Sequence, residues 1–75
     1  MNLKDAKMLK ELDVIKGIRL AGNLGSWTIG VETLTGTSLL YTSKDRVRYF
    51  NKFETALEVA LNFVSYDKIT IALLS

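Results

Sequence analysis

Few residues of this sequence could act as catalytic groups. The 75-residue chain contains no His and no Cys, which excludes imidazole bases, thiolate nucleophiles and the usual ligands of structural zinc. Ser43 beside Lys44 is the one Ser–Lys pair to consider, but adjacent turn residues point apart. The acidic residues are scattered over element ends and exposed faces, at Asp13, Glu32, Asp45 and Asp67. We therefore expect a non-enzymatic protein with no metal site and no cofactor.

Basic residues offer a different chemistry, because cationic side chains bind phosphates through charge and counterion release. Four of them belong to one predicted hairpin and the residues just after it: Lys44, Arg46, Arg48 and Lys52. Three more lie on one side of the first predicted helix: Lys4, Lys7 and Lys10. We expect the hairpin set to contact DNA phosphates, with the helical lysines as a secondary surface. The alternative is that both sets are solvated faces that keep a small protein soluble.

Aromatic residues on predicted strands are a feature of sheets that bind single-stranded DNA. Trp27, Tyr41 and Tyr49 could stack unpaired bases if they shared an open sheet face with the arginines. For Trp27, alternation with Ile29 and Val31 favours a place in the core instead. The sequence leaves Tyr41 and Tyr49 undecided, and with them the choice between single- and double-stranded DNA.

Apolar periodicity predicts the elements that position these residues. Helices are expected over 2–12 and 52–65, and strands over 14–21, 26–34, 38–42, 46–50 and 68–73. Asn2 and Asn51 are the predicted N-caps. The order α-β-β-β-β-α-β predicts an α+β fold in one domain, residues 1–75. It has two layers, an antiparallel sheet of four to five strands and one long packing helix.

The last predicted strand is too apolar to be a free sheet edge. Its large side chains are Ile69, Ile71, Leu73 and Leu74. We expect it either inside the sheet or against a second copy of the chain, with Ile69, Ile71 and Leu73 in a homodimer interface. This supports a second hypothesis: a protein-interaction or dimerisation module that acts through a sheet edge without touching nucleic acid.

Charge and hydropathy favour a cytoplasmic protein. The formal net charge is +2, which permits nucleic-acid contact without demanding it. Residues 1–13 are charged throughout and do not resemble a signal peptide. The apolar stretches fall well short of the roughly 20 residues that cross a bilayer, so no membrane partner is expected.

Taken along its length, the chain resembles the small ParC-type accessory proteins encoded beside partition and replication genes on bacterial plasmids. The resemblance rests on the charged first helix LKDAKMLKELDVI, the strand WTIGVE and the run LLYTSKDRVRYFNKFETALEVA. It implies a non-enzymatic role in plasmid maintenance, through DNA or through a partition or replication protein. It assigns no function to individual residues.

Overall fold

The computed structural model describes residues 1–23, 25–42, 44 and 46–73. Two helices are present, α1 (Leu3–Glu11) and α2 (Phe53–Leu61), with a short 3₁₀ turn at Tyr66–Lys68. The strands are β1 (Gly17–Asn23), β2 (Ser26–Thr33), β3 (Gly36–Leu39) and β4 (Ile69–Leu73). Ser43, Asp45 and Leu74, which were considered above, lie outside the described residues.

The four strands form one sheet in the order β3-β2-β1-β4. Neighbours β1 and β2 are antiparallel, as are β2 and β3, whereas β4 runs parallel to β1. The parallel pair follows from the connection, because α2 carries the chain back from one end of the sheet to the other before β4 begins. Gly22 of β1 lies close to the backbone of β2, and a Cβ there would clash with the Ser26 carbonyl oxygen.

The core lies between the sheet and a layer of two helices. Alternation sends Ile18 and Leu20 of β1 and Ile29 of β2 to the helix side, where all three are fully buried. Small residues let the helices approach the sheet closely: Ala6 in α1, and Ala56 and Ala60 in α2, all fully buried. α2 packs on β2 and β1, and burial of this apolar face is what stabilises two helices of only nine residues each.

The predicted α+β, two-layer class is confirmed, with four strands and the observed order α-β-β-β-α-β. The sheet is mixed rather than antiparallel. The strand predicted over 46–50 is wrong: Val47 and Phe50 form only isolated bridges, to Tyr41 and Trp27. The long helix predicted over 52–65 ends at Leu61, because Asn62 to Val64 turn to bring Phe63 into the core.

Candidate nucleic-acid interface

A groove of about 560 Å³ separates α1 from α2. Its apolar walls are Leu3 of α1 on one side and, on the other, Val59 of α2 together with Phe63, which follows that helix. Its polar rim is mostly cationic or neutral, consisting of Lys7, Lys10, Glu11, Arg48 and Asn62. The arrangement has an apolar floor with positive charge above it, which suits an anionic ligand.

Arg48 is held in this groove by its backbone and by its side chain. Its N–H donates to the carbonyl of Leu40 at 2.9 Å. Its guanidinium carbon lies 5.2 Å from the centroid of the Phe50 ring, within cation–π range. Phe50 is itself fixed, because it exchanges two backbone hydrogen bonds with Trp27, each 2.8 Å long. The guanidinium therefore has a defined place, and it remains half-exposed.

The lysines of α1 are placed by the start of that helix. The N–H of Asp5 donates to the Asn2 side-chain oxygen at 2.8 Å, which caps the helix as predicted. From this start, Lys4, Lys7 and Lys10 follow at three-residue steps over about 9 Å of helix axis. All three are exposed, whereas Ala6, one turn before Lys10, is buried. The lysines therefore lie on the part of α1 that faces solvent.

Arg48 joins the two basic sets that the sequence analysis kept apart. It lines the groove with Lys7 and Lys10 and also a second depression with Lys4, Asn2 and Tyr41. We use the term cationic face for Lys4, Lys7, Lys10 and Arg48. The lysines expected to form a secondary surface therefore lie on the same side of the molecule as the best-positioned arginine.

The other predicted DNA contacts, Lys44, Arg46 and Lys52, do not line the groove or the depression. Lys44 and Arg46 are exposed on the turn that joins Thr42 to Val47, and Arg46 accepts a backbone hydrogen bond from Thr42. Lys52 is exposed at the N-cap of α2, where it makes no side-chain capping bond. The predicted Asn51 cap is therefore wrong.

The aromatic residues do not form a stacking surface on the open side of the sheet. Trp27 is 6% exposed and packs edge-on against Phe53, with ring centroids 5.0 Å apart. Tyr41 is half-buried, and only Tyr49 of the three is largely exposed, at 65%. The alternation of β1 and β2 instead directs Arg19 and Thr28 to the open side.

The apolar part of the groove was not predicted. For the helix predicted over 52–65, three-and-four spacing predicts a buried face made of Phe53, Ala56, Leu57, Ala60, Leu61 and Val64. The four-residue spacing of Val59 and Phe63 indicates a second apolar flank, and this is the flank that faces α1 across the groove.

Ionisable groups are not buried in the described part of the chain. The pKa of Asp67 is lowered, chiefly because the Ser65 hydroxyl donates to its carboxylate, with help from its own N–H and from Lys68. This acidic group belongs to the 3₁₀ turn before β4. Across the described residues, acidic side chains do not gather into a possible metal site. No helix among them is long and apolar enough to span a membrane.

Fold and site together define a small α+β domain with a cationic face beside an apolar groove. No family model matches the chain, and neither the curated proteins nor the solved structures include a match.

Proposed function

We propose that this protein binds DNA without catalysing a reaction, and that the cationic face contacts the phosphates. The observation that carries the proposal is the position of Arg48, which borders both the groove of Lys7 and Lys10 and the depression beside Lys4. We expect the exposed residues Lys44, Arg46 and Lys52 to add phosphate contacts. Four cations on one side of a chain with a net charge of only +2 make an uneven field that attracts a polyanion.

Duplex DNA is the form that this surface fits better. Lysines and a half-exposed arginine contact the phosphate backbone, which is common to all sequences. Base stacking needs a row of exposed aromatic rings, whereas Trp27 is buried in the core. The resemblance to ParC-type accessory proteins supplies the rest of the proposal: a cytoplasmic role in plasmid maintenance, beside a partition or replication protein.

Fluorescence anisotropy with labelled duplex and single-stranded DNA of one sequence tests this proposal. We expect micromolar affinity for the duplex at about 50 mM salt, and a loss with rising salt that corresponds to about 0.9 logarithmic units per phosphate contact. The variant Lys7→Gln/Lys10→Gln should lower the salt slope by about 1.8, for two lost contacts.

The matched control is Lys16→Gln/Arg19→Gln, which removes the same charge from exposed residues, with Arg19 on the opposite side of the sheet. It should leave most of the salt slope intact. Equal losses in the two double variants would show that net charge alone drives binding. Absence of duplex binding at low salt would overturn the proposal.

The second candidate function is a protein-interaction module that does not touch DNA. The observation that favours it is β4 at the edge of the sheet, with its side chains partly exposed. A protein that self-associates or captures a partition protein, yet binds neither form of DNA at low salt, would have this function instead.

A further inference from the structure

Within the described part of the chain, β4 is an edge strand without the usual protection. It pairs with β1 on one side only, so half of its backbone N–H and C=O groups point away from the sheet. Such edges are normally blunted by charge, proline, a bulge or a covering loop. The residues of β4, Ile-Thr-Ile-Ala-Leu, include no charge, no Pro and no Gly. The opposite edge, β3, is shorter and carries Gly36, Thr37 and Ser38.

The core covers Ile69 at the start of β4, which packs against the buried cluster, and leaves the later large side chains of the strand exposed. Ile71 pairs in register with Leu20, so both point to the helix side. Leu20 is fully buried, whereas Ile71 is 54% exposed, and Leu73 is 78% exposed. The difference arises because α2 packs mainly on β2 and β1.

We propose that a second copy of this chain covers this edge, by antiparallel β4-to-β4 pairing about a two-fold axis at Ile71. The two four-stranded sheets then become one continuous sheet of eight strands. The inference does not depend on DNA binding.

The sequence of β4 is self-complementary in this register. In an antiparallel pair, opposite residues lie on the same side of the sheet. Ile71 then lies opposite Ile71 of the second copy, and Ile69 of each copy lies opposite Leu73 of the other, all on the helix side. Thr70 meets Ala72 on the open side. Large residues thus oppose large ones, and small residues oppose small ones.

The absence of charge on β4 favours a second copy of this chain over a charged partner. Residues 69–73 carry no charge, so nothing on the strand attracts DNA or an acidic peptide. The nearest cation, Lys68, would lie about 20 Å from its copy at roughly 3.4 Å per residue. That distance exceeds the Debye length of about 8 Å at physiological ionic strength, so the pairing brings no strong repulsion.

A stable dimer must bury more surface than the paired strands provide, and the flank of α2 that faces away from α1 adds this surface. A specific dimer buries about 800 Å² per partner, roughly a seventh of the 5243 Å² surface of the chain. Val59 and Asn62 face the groove towards α1, so helical geometry turns Leu57 and Leu61 to the other flank, on the β4 side. Both are half-buried, and two-fold symmetry brings the two flanks towards each other.

Sedimentation equilibrium across a concentration series tests the pairing. We expect a mass twice the 8.4 kDa of the chain. Ile71→Lys brings two ammonium groups together at the axis and should raise the dimer Kd about 100-fold or more. Because Ile71 is more than half exposed, the variant should fold, and far-UV circular dichroism checks that it does.

Ser38→Lys is the matched control, because it adds the same charge to an exposed residue of the other edge strand. It should leave the dimer intact. Ile71→Cys, in a chain with no other Cys, should form a disulfide-linked dimer on mild oxidation, and Ser38→Cys should not. A monomer at all concentrations, or equal effects of Ile71→Lys and Ser38→Lys, would overturn the proposal.

Discussion

The guanidinium of Arg48 lies over the ring of Phe50, with its central carbon 5.2 Å from the ring centroid. Phe50 is 5% exposed and bonded through its backbone to Trp27 of β2. A surface arginine is thus oriented by a residue of the core. An arginine held in this way loses less side-chain entropy when it binds a phosphate than one free to rotate.

We therefore expect Arg48 to matter more than Arg46 for DNA binding. Arg48→Gln should lower the salt slope of duplex binding by about 0.9. Arg46→Gln makes the same change in charge on the exposed turn and should have a smaller effect on affinity. Anisotropy titrations of both variants at two salt concentrations measure the difference. If Arg46→Gln causes the larger loss, the turn rather than the cationic face contacts DNA.

The cap of α1 should contribute to stability and to DNA binding. Asn2→Ala removes the acceptor for the Asp5 N–H and should cost about 0.5–2 kcal/mol of unfolding free energy in urea titrations. Duplex affinity should fall as well, because fraying of α1 displaces its lysines. Asn51→Ala is the comparison: Lys52, not Asn51, is the N-cap of α2. A similar loss at both positions would contradict the capping explanation.

The core facing the helices should respond strongly to truncation. Ile29 is fully buried, so Ile29→Ala should lower the free energy of unfolding by about 2–5 kcal/mol. Leu34→Ala also shortens an aliphatic side chain, but Leu34 is 79% exposed and the change should stay within about 0.5 kcal/mol. Chemical denaturation of the two variants gives this contrast. Comparable losses of unfolding free energy would show that Leu34 makes a stabilising contact in spite of its exposure.

The Ser65–Asp67 contact makes a prediction about pH. The Ser65 hydroxyl, 2.5 Å from the carboxylate, holds the pKa of Asp67 below its ordinary value. A carboxyl group with a lowered pKa stabilises the folded state above its unfolded pKa, and this contribution disappears as pH falls through the folded pKa. Ser65→Ala should raise the pKa of Asp67 towards its ordinary value. Titration of the side-chain carbon by NMR measures this, and an unchanged pKa would assign the shift to the backbone and Lys68.

Local pattern was enough to predict the α+β class and the main elements. Alternation at Trp27, Ile29 and Val31 indicated their buried face, and Asn2 was recognised as a cap. Prediction failed where backbone pairing depends on distant residues. The stretch 46–50 has strand-like composition, but Arg48 bonds to Leu40 whereas Phe50 bonds to Trp27. Its partners change within three residues, so no regular strand forms.

The order of residues is enough to predict which faces are apolar and which are basic, because side-chain periodicity is a property of each segment alone. Which of those faces meet depends on the tertiary structure. It brought Arg48 beside the lysines of α1, far along the chain, and it put β4 at an edge. The reason is that strand neighbours and helix positions are selected by the packing of one shared core. No single segment contains that information.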